Sequence, residues 1–135
     1  MGKGLFGLLK REAYKNKNSL PKAIAFVDYE HWFISMEKIH HAKPNIQAWF
    51  NDLKKKCNIV EVIFFADFSN PSIANEIPRI RGFSNKIIET RNVNPKNEKD
   101  FTDFIMLDRI YQTAMSRYDI DVYIIFSGDG HFSSV

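Results

Sequence analysis

The sequence predicts an α/β domain, a Rossmann-like parallel sheet with helices on both faces. Two observations carry this. The runs "AIAFV" and "VYIIF" are apolar at consecutive positions, not alternate ones, as strands covered on both faces are. Stretches of strand character also alternate with helical ones across short connections, the pattern that winds a parallel sheet through crossovers. At 135 residues, 44% hydrophobic and 26% charged, the chain is long enough for one domain with a real core and too short for two.

Along the chain, residues 1–21 form a basic arm with a short amphipathic piece, Leu5, Phe6, Leu8 and Leu9 followed by cations, closed by Pro21. Its chemistry suits an anionic membrane surface, a partner's groove, or a leader that covers an apolar patch. The domain proper spans 22–135. "AIAFVDYE" is its first strand and ends on Asp28. A helical pattern follows, is broken by Pro44, and resumes as "NIQAWFNDLKKKC", whose last lysines complement a helix C-terminus. "NIVEVIFFAD" is the second strand, ending at Asp67 before a Ser-Asn-Pro turn. "SIANEIPRIRGF" is helical only in part because Pro78 interrupts it, and "NKIIETRNV" is a third, shorter strand. After the loop "NVNPKNEK", the segment "DFTDFIMLDRIYQTAMSRY" predicts an amphipathic helix with Phe104, Leu107, Ile110, Tyr111 and Ala114 at helical spacing. Asp121 to Phe126 is the fourth strand.

Charge bounds the function less than the pI of about 9.0 suggests. Six Lys/Arg against Glu12 alone fall within residues 1–22, which leaves the remaining chain slightly acidic. Bulk basicity therefore belongs to the arm. From Arg79 to Lys99, however, six basic residues face only Glu89 and Glu98. Cys57 is the single cysteine, which excludes an internal disulfide and a thiolate zinc cluster; with no secretory leader pattern, the simplest address is the cytoplasm.

The chemistry lies in the strand ends. Asp28, Asp67 and Asp129 each follow a predicted strand, and Asp103 lies in the first turns of the last helix. In open α/β sheets the ligand crevice lies outside the carboxyl ends of the strands. Carboxylates gathered there repel one another unless a cation sits among them. Oxygen donors without a Cys or His cluster favour Mg²⁺ or Mn²⁺ over zinc. Each Asp also has a plainer reading, as a turn former or a helix N-cap, and for Asp67, followed by Ser-Asn-Pro, the turn is the better account. Asp108, five residues past Asp103, falls about 140° further round the helix; it is as well placed for Arg109, Lys99 or solvent as for a metal.

Three motifs in order, "FVDYEHW", "KNEKDFTDFIMLD" and "FSGDGHFSSV", resemble the NYN domain, a PIN-like nuclease family, over about residues 22–135. The resemblance implies a PIN-like fold and metal-dependent cleavage of RNA, leaving a 3′-hydroxyl and a 5′-phosphate. It implies Asp28, Asp103 and Asp129 as catalytic residues and as ligands of Mg²⁺ or Mn²⁺, with Asp108 as a further acidic position. Asp67, His31, His131 and Ser127 are secondary candidates. His31 stands where many members have Asn, and His131 where many have a second Asp. Arg79, Arg81, Lys96 and Lys99 are candidates for holding flanking phosphates, and Phe83 or Tyr29 for stacking on a base of single-stranded RNA. Family members continue into another helix and usually a further strand. The resemblance thus implies a domain whose C-terminal helix and strand are missing here, with apolar surface left for dimerisation.

Two rival readings follow from the same residues. In the first, His31 and His131 mark lost catalysis and the domain is an RNA- or protein-binding module. In the second, Asp28 is the nucleophile of a haloacid-dehalogenase-like phosphatase. That chemistry needs a second Asp two residues on, where this chain has Glu30, and it ranks last.

Overall fold

A computed structural model of the chain describes residues 6–10, 19–90 and 98–127, and the side chains of 19–90 and 104–127 among them. In chain order the elements are β1 (Phe6–Lys10), β2 (Lys22–Asp28), α1 (Tyr29–His40), α2 (Ile46–Lys56), β3 (Asn58–Ala66), α3 (Pro71–Ala74), α4 (Ile77–Arg81), β4 (Lys86–Glu89), α5 (Glu98–Ser116) and β5 (Val122–Phe126). The sheet order is β1-β5-β2-β3-β4. Four strands, β5, β2, β3 and β4, are mutually parallel, as the alternating pattern predicts.

The fifth strand differs from the sequence reading. Phe6–Lys10, assigned there to an arm outside the domain, pairs antiparallel with β5, from Phe6 opposite Phe126 to Lys10 opposite Val122. An apolar pentapeptide cannot by itself distinguish a helix turn from an edge strand. Residues 1–5 and 11–18 of the arm lie outside the described residues.

Period-two alternation sorts the two cores. Ala23, Ala25 and Val27 of β2, with Val62 and Phe64 of β3 and Val122, Ile124 and Phe126 of β5, pack against Tyr29, Trp32, Ile46, Leu53, Ile73 and Ile80 from α1 to α4. On the other face, Ile24, Phe26, Ile63, Phe65 and Tyr123 meet Met106 and Ile110 of α5 together with Ile120. Helices therefore cover both faces, which is why β5 is apolar throughout and β2 is apolar from Ala23 to Val27.

The prolines and caps set the helix bounds. Asp28 and Asn45 cap α1 and α2, accepting from the backbone N–H of His31 and Ala48. Pro78 is tolerated because it lies in the first turn of α4, where its missing N–H has no partner to lose. Lys54, Lys55 and Lys56 occupy the last turn of α2, as a dipole complement requires.

The face of α5 is a correction. The predicted stripe included Phe104, Leu107 and Tyr111, yet all three are exposed, while Met106 and Ile110 are buried against the sheet. The helix is apolar on two arcs, and periodicity alone could not say which arc met the sheet. Among the described residues no helix is long and apolar enough to cross a membrane.

Candidate functional site

The strand order places a topological switch point between β5 and β2. From β2 the chain moves outward through β3 to β4, then returns to the opposite side of β2 as β5. At such a point the loops leave the sheet in opposite directions and open a crevice at its carboxyl edge. Val27 pairs with Phe126, so the next residues on each strand, Asp28 and Ser127, leave the sheet side by side, on strands about 4.8 Å apart.

The same edge collects buried polar groups. Asp28 and Ser127 are each 7% exposed, Asp67 is 9% and Thr90 is 1%. Asp28 ends β2, and the other three immediately follow β5, β3 and β4 respectively. Each of the four parallel strands thus ends on a buried side chain with oxygen acceptors. Aromatic rings underlie this rim: Trp32 and Trp49 lie 4.7 and 5.3 Å from Phe126, and Tyr29 lies 5.9 Å from Phe64, between ring centroids.

Local bonds fix each carboxylate. Asp28 Oδ1 accepts from the His31 backbone N–H at 3.2 Å, which directs the carboxylate along the start of α1. His31 itself is half-buried in the first turn of that helix. Glu30 Oε1 accepts from the backbone N–H of Asp67 at 3.0 Å and ties the start of α1 to the end of β3. Asp67 Oδ1 accepts from the backbone N–H of Ser69 at 2.9 Å and from its hydroxyl. Asp67 is thus the turn former that its Ser-Asn-Pro context predicts.

Several other candidates are placed differently from the sequence reading. Asp108 is exposed on α5 and accepts from Gln112 Nε2 at 2.9 Å, ten residues, or about 15 Å of rise, into the helix. That is the solvent-facing placement the sequence reading set beside the metal one. Arg79 is committed inward: its guanidinium meets Glu76 Oε1 and donates to the carbonyl of Pro44 at 2.7 Å. These contacts give it a role in holding the fold. Tyr29 is fully buried and presents no free face to a base; Phe83 is half-buried and packs on Phe50 at 5.8 Å between ring centroids. Arg81 is exposed at the end of α4.

Lys96, Asp129 and His131 lie outside the described residues. Asp103 and Lys99 are in α5, with their side chains outside the described set. Among the described residues, no three His, Cys, Asp or Glu side chains come together as a metal site. The oxygen-only donors that are described fit a hard cation in kind, and an ionised carboxylate such as Asp28 has about four acceptor positions.

Sequence reasoning missed Thr90 and Glu76. Thr90 was legible in principle, as the polar residue ending "KIIET". Glu76 is 1% exposed and accepts from Tyr29 Oη at 2.7 Å, with Lys43 Nζ 3.4 Å away. Nothing in its local sequence marks it for burial. Compared with known proteins, the chain matches no family model, no curated protein and no solved structure. The likeness to NYN domains therefore rests on the three sequence motifs.

Proposed function

We propose that the chain is a ribonuclease of the NYN, PIN-like kind that hydrolyses single-stranded RNA with Mg²⁺ or Mn²⁺ at the carboxyl edge of its parallel sheet. The observation supporting this is the pairing of β2 with β5 at the switch point, which brings one residue from each of two of the three motifs, Asp28 and Ser127, together in one buried rim. Asp28, Asp103 and Asp129 are the residues that would hold the cation, whose chemistry when bound is to lower the pKa of a water and to screen charge on the attacked phosphate. The protein's own contribution is positioning. The N-terminus of α1 orients Asp28 through His31, and Glu30 ties that helix to β3. Ser127, the residue after β5, leaves the sheet next to Asp28. Arg81, Lys96 and Lys99 are the cations left to hold flanking phosphates, because Arg79 is engaged with Glu76.

Cleavage of a labelled single-stranded RNA tests this proposal. The parent protein is expected to cut in Mg²⁺ or Mn²⁺ and to stop in chelator, and Asp28→Asn and Asp129→Asn to lose at least about a hundredfold in rate. Equal cutting by parent and variants, or cutting in chelator, rules the mechanism out. RNA binding without cutting in any metal favours the binding module.

A further inference from the structure

Outside the rim, the most conspicuous surface is the outer face of α5. Phe104 is 70% exposed, Leu107 59%, Tyr111 66% and Met115 58%, and Tyr118, two residues past the helix, is 79% exposed. The intervals between them are three, four, four and three residues. At 100° per residue, Phe104, Leu107 and Met115 fall within about 40° of Tyr111 around the helix. At roughly 200 Å² for each whole side chain, the four residues on the helix leave on the order of 500 Å² uncovered on one stripe. A contiguous apolar patch of that size is at the upper end of what a monomer leaves exposed. Its charged flanks are already engaged, Asp108 with Gln112 and Arg117 with Asp119 and Glu61.

We propose that this stripe is the interface with a second copy of the same chain, the two α5 helices packing antiparallel about a two-fold axis at Tyr111. Leu107 and Met115 lie four residues either side of Tyr111, and self-complementarity of one patch is what an isologous two-fold interface requires. With the axis at Tyr111, Leu107 of one copy lies level with Met115 of the other, and Phe104 reaches past the end of the partner helix, whose last residue is Ser116. Phe104 and Met115 lie to one side of the Tyr111 line and Leu107 to the other, so the facing side chains interleave instead of colliding. Two such faces together remove about 1,000 Å² from water, the area that a specific interface has to reach. This pairing is independent of the nuclease reading, since it uses none of the rim residues.

The test is the mass of the intact chain in solution, by light scattering across micromolar concentrations, for the parent, Leu107→Lys and Tyr111→Cys. The parent is expected to be a dimer, and Leu107→Lys to weaken its dissociation constant at least about tenfold. The thermal transition of Leu107→Lys, read at a concentration where the parent is monomeric, should shift little because the side chain is 59% exposed. Tyr111→Cys, with Cys57 buried, should form a disulfide-linked dimer when treated with copper phenanthroline. A monomer at every concentration overturns the proposal. So does a dimer that is indifferent to Leu107→Lys, or one in which position 111 does not cross-link. If the lysine variant fails to fold, the cross-link alone decides.

Discussion

Tyr29 donates its hydroxyl proton to the Glu76 carboxylate at 2.7 Å across 47 residues of chain. This bond pins the first residue of α1, next to Asp28, to the segment between α3 and α4. Arg79 and Lys43 complete the charge balance around a carboxylate only 1% exposed. Burial and the neighbouring carboxylate keep the Tyr29 hydroxyl protonated far above the usual tyrosine range. Removing the acceptor strands the donors, so Glu76→Ala is expected to cost about 3 kcal/mol of stability. Tyr29→Phe keeps the ring packing and costs about 1–3 kcal/mol. Urea unfolding of the two variants beside the parent checks both values.

Acid should weaken the same contact. Burial pushes the Glu76 carboxyl up, but the hydrogen bonds from Tyr29 and Arg79 and the charges of Arg79 and Lys43 outweigh it and hold it below its ordinary value of 4.5. A carboxylate depressed in the folded state contributes stability that is fully present above the unfolded value and is lost as pH falls through the folded one. The stability gap between the parent and Glu76→Gln is therefore expected to be constant from neutrality to about pH 5 and to shrink below about pH 4.5. Urea midpoints recorded at each pH measure that gap. A gap that widens on acidification would reverse the assigned direction.

Two neighbouring arginines should separate cleanly. Arg79→Ala removes the contacts to Glu76 and the Pro44 carbonyl and is expected to lower stability by about 2 kcal/mol, with RNA affinity of the folded protein unchanged. Arg81→Ala, on the exposed end of α4, is expected to alter stability by less than about 0.5 kcal/mol. If Arg81 touches a phosphate, the salt slope of single-stranded RNA binding falls by about 0.7. Unfolding curves and a salt titration of each variant provide the two readouts.

The sheet was legible because burial on both faces leaves a continuous apolar signature in β2 and β5, and because Pro44 and Pro78 punctuate the helices between strands. Asp28 was legible for the same reason: a carboxylate closing such a strand has few plain explanations. The outer arc of α5 was not, since Phe104, Leu107 and Tyr111 have the spacing of a core face and lie exposed. Nor was the pairing of Phe6–Lys10 with β5, a contact made across more than a hundred residues. Arg79 looked like a surface cation until Glu76 was found buried beside it. Long-range partners of this kind are invisible to any local pattern.

The account turns on a cation at the rim, and Mn²⁺ titration by calorimetry tests that most directly. The parent protein is expected to take up Mn²⁺ at millimolar concentration or below, and Asp28→Asn, still folded, to lose most of that uptake. No Mn²⁺ uptake by the parent at millimolar concentration, or undiminished uptake by Asp28→Asn, would contradict it.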